Sequence, residues 1–518
     1  MDFVNINQKI ASLDACVVDD FVDINASFRS FTRQLTVESF RHIKDVTIDF
    51  EHPVTLISGV NKIGKTSLLL LLACSHERFM RLDASKPEPT WREHNWKDVL
   101  AFTSHETEQT DYSYKLMWRL GKKTSSGVGK RLASSKAWSG LGKKSKETRT
   151  NAKIKGREVR LIDLDRLLPA RSFSTSLLRK TANGSQKALS GSVTKAFCYI
   201  LDLPYSAEFQ IFEVSGHVNK RCYLMKSPSS SYSSYGAATG EESLINLLRD
   251  ILEAPSNSLI LIDELEAGFH PSIQRKLAKV ICQISWEQKK QFIITTHSFT
   301  LIDAFSAKSR KFIEYHNDKF RTISGISPQA AVSKMDSFGH PLARIYCEDD
   351  IAEFLIRKVS TNLSKDFKNF NRLFDIVRSG PADMVKLDFE RHKLHYAQIR
   401  NKIGFSAVID GDFSEKNIYK EFHEQNTDTV TFLYPTDAPE KFLGKAYIKT
   451  YPNQELEAFL LSDNHHAFFQ KMVQLDLATD KEDAKGKCYS AFECSDEYEE
   501  HFSRLKSFLI GVATKFTN

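Results

Sequence analysis

The stretch "VTLISGVNKIGKTSLLLLL" constrains this chain more than any other. A short apolar run leads into Gly59-Val60-Asn61-Lys62-Ile63-Gly64-Lys65-Thr66, which satisfies G-x-x-x-x-G-K-[ST] at every fixed position. In that spacing the glycines let backbone N–H groups turn inward around a phosphate. Lysine then reaches the β- and γ-phosphates, and the threonine hydroxyl is offered to Mg2+. Gly59, Asn61, Gly64, Lys65, Thr66 and Ser67 form the expected nucleotide-binding set, with ATP and Mg2+ as cofactors. The flanks supply the strand and the helix that such a loop needs.

The surrounding pattern is α/β. "RQLTVESF" and "RHIKDVTIDF" alternate apolar and polar residues as two half-buried strands, and "VTLIS" follows as a third. "TSLLLLLACSHERFMRL" reads as one long helix. Further on, "SLILIDE" is a continuous apolar strand, "HPSIQRKLAKVICQISWEQKK" a helix opened by His-Pro, and "QFIITTHS" another buried strand. Strand, helix and strand in quick succession predict parallel pairing. At 518 residues two domains are expected, 1–335 around the phosphate loop and a smaller α/β unit at 336–518.

A phosphate loop needs an acidic companion, and "SLILIDELEAGFHP" supplies Asp263 and Glu264 at a strand end. Asp263 is expected to hold Mg2+ through water, and Glu264 to polarise the attacking water. His297 ends the next buried strand, placed to sense the γ-phosphate.

The order of these motifs, with "ATGEES" before the acidic strand and "GFHP" after it, resembles the ABC-type ATPase head of SMC and OLD (overcoming lysogenization defect) proteins. Those families carry S-x-G-E where this chain has Ala238-Thr239-Gly240-Glu241. The resemblance implies that Thr239, Gly240 and Glu241 of one copy close the nucleotide held by another, so that a homodimer or higher homo-oligomer is the competent form. Gln109 is the candidate for the glutamine loop of such heads. Lys65 and Gly240 lie 175 residues apart, too close for a long coiled-coil arm, and no sustained heptads occur.

Beyond residue 342, "ARIYCEDD" and "GFSAVIDGD" read as strands ending in acids, with "NQELEAFLLSD" as a later helix. Acids from adjacent strand ends can share Mg2+ for phosphodiester cleavage. The pattern resembles a Toprim domain, the metal-dependent unit joined to the ATPase head in OLD and Gabija-type nucleases. By that likeness Glu348, Asp410 and Asp412 are catalytic metal ligands, with Asp350 and Glu457, or Glu455, as further acids. Asp349 stands where the family has glycine. The whole then reads as an anti-phage nuclease under ATP control. "LIDLDRLLPARSFS" also resembles a stretch of Septu and retron-associated ATPases, which implies an alternative in which the ATPase gates a separate nuclease or toxin.

Charge is uneven. Fourteen Lys/Arg against two Glu between Arg119 and Arg160 give that segment +12, which leaves −5 for the rest of a chain carrying +7. The segment 119–160 is expected to be a basic insertion, exposed as a loop over 121–156, gripping a nucleic acid, taken as DNA, through its phosphates, with Trp138 stacking on a base. No apolar run is long enough for a membrane helix, the N-terminal stretch has no secretory pattern, and the eight cysteines lack zinc spacing. A cytoplasmic protein with reduced thiols and no membrane partner is expected.

Overall fold

The computed structural model describes residues 3–18, 28–83, 90–100, 111–134, 138–141, 154–167, 184–205, 208–214, 221–228, 230–316, 319–336, 340–367, 369–398, 402–462 and 464–517. The chain divides into two compact units, Met1–Pro328 and Gln329–Asn518.

In the first unit β1 (Ser30–Phe40) and β2 (Ile43–Asp49) form the antiparallel pair that their alternation predicts, with Phe31, Leu35, Val37, Val46 and Ile48 buried. The phosphate-loop strand β3 (Val54–Ser58) is followed by the helix Lys65–Cys74, then β4 (His76–Asp83) and β5 (Thr90–Glu93). Next come β6 (Tyr112–Leu120), β7 (Lys123–Arg131), β8 (Trp138–Gly140) and β9 (Ile154–Ile162). A small antiparallel sheet, β10 (Gln186–Ala188), β11 (Gln210–Val214), β12 (Tyr223–Lys226) and β13 (Ser231–Ser233), precedes the helix Thr239–Leu252. The unit ends with β14 (Leu259–Ile262), β15 (Gln291–Thr296), β16 (Arg310–His316) and β17 (Lys319–Ser324).

Two larger sheets result, one antiparallel in the order β2-β1-β6-β7-β8, the other mixed in the order β17-β16-β3-β15-β14-β9-β4-β5. Pairing in the mixed sheet is parallel from β16 to β4 and antiparallel at both edges. Every residue of β3, β14 and β15 is buried, as continuous apolar runs require when both sheet faces are covered. Gln291 joins the sheets: its Oε1 accepts from the Thr32 N–H and from Arg157 Nη1, both at 2.9 Å.

Two sequence expectations are corrected. The helix after the phosphate loop stops at Cys74, and His76–Asp83 is a strand. Ser75 Oγ and His76 Nδ1 hydrogen-bond the Leu71 and Leu72 carbonyls, closing the last turn, and β4 then pairs with β9. The stretch 121–156 is also no simple loop. Lys123–Arg131 and Trp138–Gly140 are paired strands, while 142–153 lie outside the described residues. Gly129 reads as flexibility but provides clearance, because a Cβ there would meet the Tyr114 ring at 2.4 Å. Trp138 lies flat on Trp96, with ring centroids 3.8 Å apart, rather than standing free for a base. Arg119, Arg131, Arg157 and Arg160 are buried, so part of the segment's charge is structural.

The second unit is built on a parallel sheet, β18 (Ala343–Cys347), β19 (Phe374–Arg378), β20 (Gly404–Ile409) and β21 (Val430–Phe432), ordered β19-β18-β20-β21. The helices Asp350–Asp366, Ala382–His395 and Asn417–Glu424 make the crossovers. The chain leaves β18 toward β19 and later enters β20 on its other side. A crevice is therefore expected outside the ends of β18 and β20. The terminal helix Tyr498–Thr517 packs Phe516 against Phe405 and over Gly404, where a Cβ would clash at 2.4 Å. Among the described residues no helix is long and apolar enough to cross a membrane.

Candidate functional site

Sheet order explains why distant residues meet. Strands β3, β15 and β14 are consecutive neighbours and parallel, so the loop after β3, His297 after β15 and Asp263-Glu264 after β14 emerge at one edge. They line a cleft of about 570 Å³ with His42, Asn61, Lys62, Gly64, Lys65, Thr66 and Ser67. That volume is ordinary for a ligand site. Gly59 has φ 153°, and a Cβ there would lie 2.5 Å from the Ile313 carbonyl oxygen, so only glycine fits the turn.

The acids are held by hydroxyls. Thr66 Oγ1 donates to Asp263 Oδ2 at 2.8 Å, and Thr295 Oγ1 donates to Asp263 Oδ1 at 2.6 Å. The Thr295 hydroxyl also accepts from the Glu264 N–H at 2.8 Å. Nothing in the sequence pattern marks Thr295, though it stands near the end of β15, two residues before His297. Glu266 was missed as well: its Oε1 accepts from the His297 N–H at 2.5 Å, while Oε2 is buried without a hydrogen-bond partner. Burial raises the Glu266 pKa. Arg41 Nη1 donates to Ser67 Oγ at 3.2 Å.

Lys65 Nζ donates to the Gly59 and Val60 carbonyls at 3.0 and 3.2 Å. Burial pushes its pKa down to about 8, against the opposing pull of Glu264, Glu266 and Asp263. A phosphate arriving beside it restores the charged form. Burial and the Lys65 charge lower the His297 pKa, so at neutral pH its imidazole is uncharged.

Thr239, Gly240 and Glu241 begin the helix Thr239–Leu252 and do not line this cleft. Glu241 Oε2 accepts from the Ala238 N–H at 3.2 Å, the glutamate half of a capping box. Alanine lacks the hydroxyl for the other half. Gln109 lies outside the described residues.

In the second unit Glu348 and Asp410 follow the adjacent parallel strands β18 and β20, and Glu348 reaches the Asp410 backbone. The Asp410 N–H donates to Glu348 Oε1 at 2.9 Å. Burial, with the charges of Asp412 and Asp349, pushes Glu348 up to about 7, and burial beside Glu348 holds Asp410 well above the usual carboxylate range. Asp410 Oδ1 is buried and has no hydrogen-bond partner. Gly411 is required next to it, because a Cβ would lie 2.3 Å from the Pro435 carbonyl oxygen.

The other expected acids do not converge in the same way. Asp412 is exposed and reaches the pair only through its charge. Asp350 is paired with Lys485 Nζ at 2.5 Å, Glu455 with Lys471 at 2.5 Å, and Glu457 is exposed. Asp349, in place of the expected glycine, caps the helix Asp350–Asp366 by accepting from the Ile351 and Ala352 N–H groups, both at 2.9 Å. Glu440, missed in the sequence, is buried and adds its charge near Asp410. Among the described residues no group of three or more His, Cys, Asp or Glu is arranged to hold a metal ion. Of the expected acids, Glu348 and Asp410 are the two that a hydrogen bond brings together.

Comparison with known proteins agrees with the first cleft. Residues 34–180 match the family model of an AAA domain. Residues 231–303 match another, described as AAA domain, putative AbiEii toxin, Type IV TA system. The chain thus carries an AAA-type ATPase domain, with its phosphate loop in one match and its acidic strand in the other. No curated protein matches it. Among solved structures, the SMC head domain from Thermotoga maritima is similar at 11% identity and TM-score 0.35, covering 57% of this chain and 98% of that one. An SMC head bound to the C-winged helix domain of ScpA gives 15% identity, TM-score 0.38 and coverages of 57% and 97%. An SMC head with an extended coiled coil, bound to the C-terminal domain of ScpA derived from Pyrococcus furiosus, gives 12%, 0.37, 57% and 96%.

Proposed function

We propose that this ATPase controls a Mg2+-dependent site in its second unit that cleaves nucleic acid. In the first cleft Lys65 neutralises β- and γ-phosphate oxygens, and the loop N–H groups orient them. Glu264 takes a proton from the attacking water, and neutral His297 hydrogen-bonds the γ-phosphate. Thr66 and Asp263 face each other at 2.8 Å, a hydroxyl and a carboxylate of the kind that hold Mg2+ beside a triphosphate. Held by Thr66 and Asp263, Mg2+ would supply positive charge to the triphosphate. The separation of Thr239–Glu241 from this cleft supports their use by a second copy, which makes a homodimer the hydrolytic unit.

The observation that carries the cleavage reading is Asp410 Oδ1, buried and unpartnered beside Glu348 at the ends of two adjacent parallel strands. Two carboxylates raised by burial and mutual repulsion gain from a divalent cation, so the pair fits Mg2+. The ion's contribution is a Lewis acid for a phosphodiester oxygen. Glu348 and Asp410 would hold it, with the exposed Asp412 adding its charge nearby. The role in anti-phage defence belongs to the same proposal. A second reading is favoured by the positions of Asp350 and Glu457: with only two acids convergent, the second unit does not cut and the ATPase gates a separate nuclease or toxin.

Purified protein with Mg2+ or Mn2+ and plasmid DNA, beside a Glu348→Ala/Asp410→Ala variant, decides between them. Cleavage by the parent and none by the variant supports the first reading. No cleavage by either, with ATP hydrolysis intact, rejects it in favour of the gating role.

A further inference from the structure

We infer that Arg166 is a positioning residue for ATP hydrolysis, acting by clamping the backbone that carries Glu264. The inference rests on the reading of Glu264 as the base. Arg166 lies in the short 3-10 turn Leu164–Leu167 after β9, which runs parallel beside β14 with Ile162 opposite Ile262. Its guanidinium is buried and reaches three carbonyls. Nη1 donates to Asp163 at 2.8 Å and to Asp263 at 3.1 Å, and Nη2 donates to Glu264 at 2.6 Å. It does not line the cleft, so its effect on chemistry passes through Glu264.

Glu264 needs such a clamp. Its φ is +46°, the left-handed region, which a side chain other than glycine adopts only when its surroundings enforce it. The enforcement is two-sided: Thr295 Oγ1 holds the Glu264 N–H, and Arg166 holds its carbonyl. With both peptide groups fixed, the Cα–Cβ direction is fixed, and with it the line along which the carboxylate enters the cleft. The next residue, Leu167, packs on Gly268 at the far end of the same turn, where an added Cβ would lie 3.0 Å from Leu167 Cδ2. One short segment thus braces the turn at both ends. The guanidinium spreads its donors over a rigid planar fork that reaches all three carbonyls, whereas a lysine ammonium places its three donors on one atom and does not reproduce that spread.

The test uses the full-length protein and the variants Arg166→Lys, Arg166→Ala and Glu264→Gln. Equilibrium binding of a fluorescent ATP analogue, KM and kcat for ATP, and the melting temperature are measured for each. The expected result for Arg166→Ala is a kcat lowered about 10- to 100-fold with analogue affinity and KM near those of the parent, as misplacing a catalytic group produces. Arg166→Lys should fall between the two, and millimolar guanidinium chloride should restore part of the Arg166→Ala rate. Parent-like kcat in Arg166→Ala overturns the inference. So does a parallel collapse of affinity, kcat and melting temperature without guanidinium rescue, which marks a purely structural residue. Parent-like turnover in Glu264→Gln instead removes the reading of Glu264 on which the inference depends.

Discussion

The two acidic strand ends of this chain began with similar sequence credentials and reached different structures. At the end of β14 each functional group is held by another: Asp263 by the Thr66 and Thr295 hydroxyls, Glu264 by Thr295 and Arg166. At the end of β18 only Glu348 turns toward Asp410, while Asp349 caps a helix and Asp350 pairs with Lys485. The difference teaches that an acid's fate depends on which partner reaches it first. Hydroxyls leave a carboxylate free to hold a cation, whereas a lysine or a helix N-terminus occupies it.

The largest expected effect tests the first of these sites. Glu264→Gln should lower ATP turnover by about 10²- to 10⁴-fold while ATP still binds, read by single-turnover hydrolysis beside equilibrium binding. Lys65→Ala should weaken ATP binding on the order of 100-fold, the scale of a lost charge-assisted contact. Retained affinity would refute the phosphate-loop assignment.

A further contrast separates two buried lysines. Lys290 donates to the Ile251 carbonyl at 2.7 Å and has its pKa pushed down by burial from 10.5 to about 7, whereas Asp350 and Glu482 raise that of Lys485. Between about 7 and 10 the unfolded chain holds a proton on Lys290 that the folded chain lacks, so its contribution to stability rises with pH. Denaturant titrations at several pH values should show a rise of roughly 1 kcal/mol per unit from this residue, absent in Lys290→Met. An unchanged slope in the variant would show that Lys290 is not the group that titrates.

The smallest effect is expected at Asp350. Asp350→Asn should leave any cation-dependent cleavage at its parent level and cost about 1 kcal/mol or less of stability, since Lys485 keeps Glu482 as a partner. Loss of cleavage in this variant, matching Asp410→Ala, would return Asp350 to the metal site and erase the contrast between the two strand ends.

Legibility followed locality. The phosphate loop, β3 and β14 could be read directly, because fixed spacing and unbroken apolar runs are local properties. Thr295, Arg166, Glu266 and Glu440 were not readable as site residues. Glu266 sits two residues past Glu264 and Thr295 two before His297, but their hydrogen-bond partners His297 and Asp263 lie 31 and 32 residues away, and Arg166 is 98 residues from Glu264, so no local pattern marks the pairings. The basic stretch misled for the opposite reason. Gly127 and Gly129 have the composition of a loop but sit under Leu141 and Tyr114 in a paired strand.

By itself the sequence determined that a nucleotide phosphate has a turn to sit in, with an acid pair and a strand-end histidine to accompany it. Those are backbone and side-chain requirements written in consecutive residues. Only the tertiary structure decided that β15 lies between β3 and β14, which brings Thr295 to Asp263 and Glu264. It also decided that one acid of "CEDD" faces Asp410 while its neighbours are taken by a helix end and a lysine. Sheet order and long-range ion pairing are settled by packing across hundreds of residues, and no local pattern encodes them.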